Sequence, residues 1–404
     1  MKPRELAELI AFERPEWDPV RRRLRRCHQI RDLREVARNR TPRPVFDYVE
    51  GGADEELSLQ RNLDAFRRWD FVPSGPRDVS HVDLTTTLLG QPIGLPLVCS
   101  PTGYTRMIHP GGELAVARAA ARARVPYGLS TVASTSVEEV ASSGHPYLWF
   151  QLYVWRDRGM TWSLVERAWQ AGYRVLEVSV DAPVSGFRIR DVRNGLTIPP
   201  RLTATTLLEV ARKPVYWSGV LRHPALSFAN SPPGVASGAG ITIENMTTQF
   251  DPAVGWQDIA EIRRRWPGAL LVKGALGPSG ARAAIEVGAN GVHLSNHGGR
   301  QLDRIVPPVE LLPEVRAALG DGPTIVVDSG IRHGLDLAVA LALGADAGAI
   351  GRAYLYGLMA AGEPGVDAAL AMLHDELRRS MALLGVTTVA ELRSAAAALL
   401  RRAA

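Results

Sequence analysis

The feature that most constrains this chain is a repeated alternation of short apolar runs with stretches of helical spacing. The eight runs are Leu95–Ser100, Tyr127–Thr131, Tyr147–Tyr153, Val175–Val180, Leu270–Lys273, Gly291–Ser295, Thr324–Val327 and Ala347–Ile350. Apolar runs that Gly or Pro bounds, and that alternate with helices, are typical of parallel strands joined by helical crossovers. Eight such units predict an α/β fold, the (β/α)₈ TIM barrel. A doubly wound open sheet is the alternative, but it would normally carry G-x-G-x-x-G after its first strand, and that motif is absent there.

We predict one domain over residues 1–404, because no linker divides the chain into two cores. Its parts are N-terminal helices at 1–90, the barrel at 95–363 and C-terminal helices at 364–404. One interval, 185–250, breaks the barrel rhythm after the fourth strand. A loop of that length is usually functional when it is ordered, so we predict an active-site lid with an added insertion.

The same interval mixes aromatic and basic residues, which suits contact with a membrane surface. An ordinary lid that also forms an oligomer contact explains the mixture equally well. The residues concerned are Tyr216, Trp217 and Phe228 with Arg212, Lys213 and Arg222.

The charge balance is basic, with 47 Lys and Arg against 42 Asp and Glu. Only three of the 47 are lysines, so the chain strongly prefers arginine, as a GC-rich coding sequence would. The basic run at 21–26 allows a different class of protein, a barrel that binds nucleic acid or an anionic surface. Basic and aromatic residues do not interleave and no nucleic-acid motif is present, so we predict no nucleic-acid partner.

Two cysteines cannot form a disulfide framework and favour a reducing compartment. The first 26 residues are charged throughout, and no run of 18 apolar residues occurs. These observations predict a cytoplasmic protein, with peripheral attachment to the inner face of the plasma membrane left open.

Polar and ionisable residues gather where the predicted strands end, which is where barrel enzymes build their active sites. They are Thr102, Gly103, Ser130, Gln151, Tyr153, Ser179, Asp181, Arg188, Lys273, Ser295, His297, Arg300, Asp328, Ser329, Gly330, Arg332, Gly351 and Arg352. The Gly and Arg residues after strands seven and eight favour a phosphate site, since backbone N–H groups there often bind phosphate. Glycines that only shape tight turns are the alternative.

His297 is the best candidate for a general base, because imidazole titrates near neutrality and glycines open space beside it. Asp181 could orient His297 and stabilise its imidazolium. Arg188 and Arg300 could clamp a carboxylate with their planar guanidinium groups. Lys273 could form a Schiff base, pair with a carboxylate or stabilise an anionic cofactor ring.

The block Ser295–Asp303, SNHGGRQLD, resembles the signature of the FMN-dependent α-hydroxy acid dehydrogenases and oxidases. The segments Asp47-Tyr48 with Gly51-Gly52-Ala53, Gln151-Leu152-Tyr153, Val180-Asp181, Val272-Lys273-Gly274 and Gly351-Arg352 fit the family in order. The likeness covers nearly the whole barrel and the N-terminal helices, and is greatest to bacterial respiratory L-lactate dehydrogenases. Gly103 stands where the oxidases often have Ala, Val132 where some members have an aromatic residue, and Ser329 where Gly is common.

The resemblance implies catalytic roles for His297, Asp181, Tyr153, Tyr48, Arg300, Arg188 and Lys273. Tyr48 and Tyr153 would hydrogen-bond the substrate carboxylate and 2-hydroxyl, and Lys273 would stabilise the anionic reduced flavin. It also implies contacts to FMN, with Asp328 holding ribityl hydroxyls and Arg332, Gly351 and Arg352 binding the phosphate. The full set implied for FMN is Thr102, Gly103, Ser130, Gln151, Ser179, Lys273, Ser295, Asp328, Ser329, Gly330, Arg332, Gly351 and Arg352; no metal is expected.

The function that the resemblance implies is FMN-dependent oxidation of a small L-2-hydroxy acid, with L-lactate to pyruvate as the leading candidate. Electrons would pass to quinone or another separate carrier, because the N-terminal region shows no haem-binding domain. An oxygen-using oxidase that acts on glycolate, mandelate or a larger hydroxy acid is the alternative. A homotetramer is expected from the family.

Overall fold

A closed barrel of eight parallel strands forms the centre of the structure. The structure is a computed structural model and describes residues 16–195, 211–223, 226, 228–231 and 248–403. The barrel strands are β4 (Leu97–Cys99), β5 (Tyr127–Ser130), β6 (Leu148–Leu152), β7 (Val175–Ser179), β8 (Ala269–Gly274), β9 (Gly291–Leu294), β10 (Thr324–Val327) and β11 (Ala347–Ile350). They pair in chain order, and β11 closes the ring on β4 through Ile350 and Cys99. The predicted TIM barrel and its eight strands are confirmed.

Helices follow the strands and cover the outside of the barrel. The strands are apolar on both faces, so both faces must be shielded from solvent. Those of the barrel are α5 (Thr105–Ile108), α6 (Gly112–Arg122), α7 (Val137–Ala141), α8 (Arg158–Gln170), α11 (Trp256–Arg265), α12 (Pro278–Glu286), α13 (Pro308–Leu319), α14 (Gly334–Ala342) and α15 (Arg352–Ala361). Two short helices, α9 (Ile189–Arg193) and α10 (Pro214–Leu221), belong to the 185–250 interval.

The N-terminal region contributes four helices, α1 (Pro19–Leu24), α2 (Ile30–Arg40), α3 (Arg43–Glu50) and α4 (Leu57–Phe66). It is not wholly helical, because three strands follow: β1 (Trp69–Phe71), β2 (Thr86–Leu88) and β3 (Gln91–Ile93). The hairpin of β2 and β3 buries Leu88 and Ile93 against Val98 and Trp149 inside the barrel. The hairpin therefore closes the end of the barrel opposite the strand carboxyl ends.

The C-terminal region contains α16 (Glu363–Leu384), α17 (Val389–Ser394) and α18 (Ala396–Leu399). The region predicted as C-terminal helices is not helical throughout, because Leu400–Arg402 forms β12 and pairs antiparallel with β1. Neither short strand could be seen in the sequence, since each needs a partner more than 300 residues away to satisfy its backbone.

Candidate active site

One large cleft opens at the carboxyl ends of the barrel strands. Its volume, counted together with the adjoining solvent at its mouth, is about 1320 Å³. Most of the predicted site residues line it: Tyr48, Thr102, Gly103, Ser130, Tyr153, Arg188, Lys273, His297, Arg300, Asp328, Ser329, Gly330, Arg332, Gly351 and Arg352. The other four, Gln151, Ser179, Asp181 and Ser295, are not on its wall. They contact residues that are, so the structure gathers the whole predicted set in one place.

His297 projects into the cleft from the loop after β9 and is held at both ring nitrogens. Its Nδ1 lies 3.1 Å from Oδ2 of Asp181, and its Nε2 lies 3.2 Å from the hydroxyl of Tyr153. A carboxylate can only accept, so Asp181 fixes the proton on Nδ1 and leaves the Nε2 lone pair towards the cleft. Oδ1 of Asp181 is buried without a hydrogen-bond partner among the described residues.

The backbone at His297 is in the left-handed region, with φ of 58°. Its N–H donates to the Ser295 hydroxyl at 3.0 Å, and the Ser329 hydroxyl accepts from the N–H of Gly298 at 3.1 Å. Ser329 is itself left-handed, with φ of 72°, and so is Tyr104 on the same cleft, with φ of 56°. These conformations cost energy in non-glycine residues, so the surrounding hydrogen bonds and packing must hold them.

Two arginines face the cleft beside His297. The guanidinium of Arg300 donates to the backbone oxygens of Tyr48 and Gly51 at 2.5 and 3.0 Å, and it lies over the Tyr48 ring. Arg188 donates to Asp191 at 2.8 Å. Burial first, and then the nearby charge of Arg188, lower the pKa of Arg300. Both arginines retain further N–H groups, so the cleft wall can take an anion.

At the bottom of the cleft, Lys273 ends β8 and is buried. Its ammonium donates to Oδ2 of Asp328 at 2.8 Å. Burial acts to lower the pKa of Lys273, but Asp328 and further carboxylates outweigh it and leave that pKa raised. Lys273 is therefore a fixed ammonium with two N–H groups left for other partners, and the buried ion pair does not favour a Schiff-base role.

A second group of buried side chains forms a hydrogen-bonded row across three strands. The hydroxyl of Ser130 donates to Oε1 of Gln151 at 3.0 Å, and Nε2 of Gln151 donates to the Ser179 hydroxyl at 3.1 Å. The row links Gln151 and Ser179 to Ser130, which lines the cleft.

Arg332 and Arg352 also line the cleft, and Arg352 is the first residue of α15. Arg352 donates to the backbone oxygens of Val49, Gly298 and Gly51, at 2.7, 2.9 and 2.7 Å. Burial, followed by the charge of Arg300, lowers the pKa of Arg352 to about 10. The α15 N-terminus has no side-chain cap, so its first N–H groups and the arginines together suit a phosphate.

The sequence did not indicate the two phenylalanines that pack on tyrosines of the cleft wall. Phe228 packs edge-to-face on Tyr104 with ring centroids 4.7 Å apart, and Phe250 stacks on Tyr153 at the same distance. Both phenylalanines come from the 185–250 interval and are buried. Phe228 is therefore not available to a membrane, which corrects part of the predicted interface, and the Tyr216 hydroxyl is likewise bonded, to the Met107 oxygen at 2.5 Å.

Two further residues missed from the sequence are Glu177 and His293, which lie wholly buried in the middle of β7 and β9. Their signal was present, because an ionisable residue inside a four- or five-residue apolar strand must have a buried partner. Residues 196–210, 224–225, 227 and 232–247 of the predicted lid lie outside the described residues.

Comparison with known proteins gives a consistent result. Residues 37–399 match the family model described as FMN-dependent dehydrogenase. The chain is 44% identical to an L-lactate dehydrogenase of Caulobacter vibrioides over 89% of this chain and 95% of the relative. It is 39% identical to the (S)-mandelate dehydrogenase of Pseudomonas putida over 90% and 92%. A crystal structure of monotopic membrane protein (S)-mandelate dehydrogenase superposes with a TM-score of 0.88 at 37% identity, covering 93% of this chain and all of that one.

Proposed function

Since the chain belongs to the FMN-dependent dehydrogenase family, we propose that it converts L-lactate to pyruvate and passes the electrons to a quinone or another carrier. The coarser activity follows from the family: the protein is an FMN-dependent enzyme that oxidises 2-hydroxy acids. The observation that carries the proposal is the pair of arginines, Arg188 and Arg300, facing the same cleft as the His297 base.

The cleft fits FMN by the chemistry of the residues present. Ser100 lines it with a buried hydroxyl that has no partner among the described residues. Lys273 can donate to the polar edge of an isoalloxazine ring, and Arg332 and Arg352 can bind the phosphate. We propose that the remaining contacts are those the family resemblance implies: Thr102, Gly103, Ser130, Gln151, Ser179, Ser295, Asp328, Ser329, Gly330 and Gly351.

The substrate is proposed to bind by its carboxylate, at the free N–H groups of Arg188 and Arg300. A carboxylate between them offsets the burial of Arg300 and the nearby charge of Arg188, which together lower the pKa of Arg300. The hydroxyl of Tyr48, whose ring lies under the Arg300 guanidinium, is proposed as a further donor to the carboxylate. Anchoring one end of a small acid in this way presents its 2-hydroxyl to His297 and Tyr153.

His297 is proposed to take the hydroxyl proton at Nε2, because Nδ1 is already committed to Asp181. Protonation makes the ring an imidazolium, and the Asp181 carboxylate 3.1 Å away stabilises it. FMN, held by the residues named above, would supply the two-electron oxidant for the loss of the C2 hydrogen. Proton and electrons then balance the conversion of the alcohol to the 2-oxo acid.

We propose L-lactate over a larger acid, and the close packing of Val132 against Gly103 on the cleft wall is one observation in its support. A Cβ placed on Gly103 would lie 2.7 Å from Cγ2 of Val132, so the two residues are already in close contact. The relative at 44% identity is an L-lactate dehydrogenase and the one at 39% a mandelate dehydrogenase, which supports the smaller substrate.

Peripheral contact with the inner face of the plasma membrane is proposed through residues near the start of the 185–250 interval. Val184, Phe187 and Val192 are 60–70% exposed, although they are large and apolar. Among the described residues, no helix is long and apolar enough to cross a membrane. A homotetramer, a cytoplasmic location and a single domain remain our predictions.

The test is reduction of the purified, FMN-loaded enzyme by L-lactate under argon, followed by addition of air or a soluble quinone. We expect L-lactate to bleach the flavin, D-lactate to leave it oxidised, and quinone to restore the colour much faster than air. Faster bleaching by L-mandelate would refute the substrate proposal. Reoxidation by air at the quinone rate would instead favour the oxidase.

A further inference from the structure

Four ionisable side chains form a continuous buried row beneath the cleft. Nδ1 of His293 lies 2.5 Å from Oε1 of Glu177, and its Nε2 lies 3.2 Å from Oδ2 of Asp328. The same Asp328 oxygen accepts from Lys273 at 2.8 Å. Glu177 and His293 are completely inaccessible to solvent, and Lys273 and Asp328 nearly so. The row thus runs from the barrel interior to the ammonium that faces the cleft.

The strand register explains why these residues meet. Lys273 on β8 is directly opposite His293 on β9, and Asp328 follows the last residue of β10, the next strand. Glu177 on β7 lies two residues below Ser179, which is paired with Lys273. Side chains of alternate residues point into the barrel, so four neighbouring strands direct these groups to one side of its interior.

With both carboxylates ionised, the charges in the row balance when His293 carries a proton. Glu177 and Asp328 then offset Lys273 and the imidazolium, whereas a neutral His293 would leave one buried negative charge uncompensated, which is costly. Burial and the charge of Lys273 act to lower the pKa of His293, but the carboxylates outweigh them and leave that pKa raised. The pKa of Asp328 is held well below its usual range against the effect of burial, by Lys273 and His293.

His293 therefore shares the carboxylate that would otherwise pair with Lys273 alone. Its Nε2 is within ion-pair distance of Asp328 but is not aligned for a hydrogen bond. The interaction is mainly one of charge, and it acts over several ångströms in a site of low dielectric constant. When His293 is an imidazolium, it offsets part of the negative charge of Asp328. Asp328 then neutralises less of the positive charge that Lys273 presents to the cleft.

We propose that Glu177 and His293 are positioning residues, which hold Asp328 and Lys273 in place and raise the reduction potential of the bound flavin. The proposal rests on the family's FMN chemistry, but not on lactate as substrate or quinone as acceptor. Within the row, His293 lies 3.2 Å from Asp328, while Glu177 contacts His293 on the opposite side of the ring. Removal of both therefore makes the base of the cleft more negative and disfavours the electron-rich, reduced flavin.

Two double variants test the proposal. Glu177→Ala with His293→Val removes the charges and leaves an apolar interior, a change that is often tolerated when a whole buried ion pair is replaced. Glu177→Gln with His293→Gln removes the charges but keeps polar groups of similar size. The matched control is Arg316→Met with Asp346→Asn, which breaks a largely buried pair at the opposite end of the barrel.

The measurement is a dye-coupled reductive titration of the FMN-loaded enzymes, which needs neither lactate nor quinone. We expect both double variants to shift the ratio of oxidised to reduced flavin at least tenfold towards the oxidised form at a given potential. For a two-electron couple this corresponds to a decrease of about 30 mV. The control pair should leave the potential unchanged.

An unchanged potential in either folded, FMN-loaded double variant would overturn the proposal, because a merely structural pair would alter stability alone. The unmodified holoenzyme provides a second measurement that needs no folded variant. Histidine labelled with ¹⁵N should show His293 as an imidazolium at pH 7, and a neutral ring would equally overturn the proposal. Failure of the unmodified protein to bind FMN would instead refute the family assignment.

Discussion

Replacement of Asp181 by Asn tests whether the negative charge behind His297 contributes to the reaction. The Asn oxygen can still accept from Nδ1, so the tautomer and orientation of the ring are kept while the charge is removed. The two side chains are 26% and 10% exposed, which limits solvent screening of the pair. At an effective dielectric constant of about 20, unit charges 4 Å apart interact by about 4 kcal/mol, which sets the upper limit.

A hydrogen bond to a charged group is worth about 1.5–3 kcal/mol in measured cases, which lies below that limit. The imidazolium forms only as the proton is taken, so the whole loss falls on the reaction barrier and not on substrate binding. At 1.36 kcal/mol for each factor of ten, flavin reduction should slow about 10- to 150-fold. The apparent Kd for L-lactate should change little, because Asp181 is not on the cleft wall.

Anaerobic stopped-flow at a series of L-lactate concentrations separates the two quantities. The matched control is Asp375→Asn, because Asp375 accepts from His374 at 3.0 Å in the same way but on the protein surface. The flavin potential of each variant should be measured too, since Asp181 also raises the pKa of Lys273. A limiting rate within threefold of the unmodified enzyme, at equal potential, would refute the assigned role of Asp181.

Three further changes follow from the geometry. Gly298→Ala should weaken FMN binding and lower the free energy of unfolding by about 1–3 kcal/mol, because the added Cβ would lie 2.5 Å from Arg352 and the backbone φ is 65°. Urea titration measures this loss. The control Gly144→Ala, at a similar φ but with open space around the Cβ, should lose less. Arg300→Lys should raise the Kd for L-lactate about 10- to 100-fold, measured by flavin bleaching, since the ammonium cannot replace the planar fork. Burial lowers the pKa of His145 in the folded protein to about 4. Below pH 6.5 the unfolded chain therefore binds a proton at His145 that the folded protein does not, and the free energy of unfolding should fall by up to about 3 kcal/mol as the pH drops from 6.5 to 4. A His145→Gln variant should show a shallower decrease.

The barrel could be predicted because each of its strands is marked locally, by an apolar run with a turn residue at its end. The same logic assembled the cleft, since the carboxyl ends of parallel strands must meet. His297 and Asp181 are 116 residues apart in sequence, yet the structure places them 3.1 Å apart at that shared end.

What the sequence did not indicate depends on contacts that leave no local pattern. Three-residue strands such as β1 and β12 are too short to show alternation, and they exist only as a pair. Phe228 and Phe250 lie outside the described helices and strands, so nothing in the sequence around them shows which residues they pack on. Glu177 and His293 were missed for a different reason, because a strand that is apolar on average conceals a single charged residue.

Three residues on the cleft wall, Tyr104, His297 and Ser329, adopt left-handed backbone conformations that cost about 1–2 kcal/mol each outside glycine. That cost limits how the enzyme can be adapted. Histidine, asparagine, aspartate and glycine tolerate such a backbone, whereas β-branched residues do not. In random libraries at these positions, most variants should therefore fail to fold, and few should gain activity on a new substrate. A laboratory evolution campaign should first introduce stabilising substitutions in helices away from the cleft.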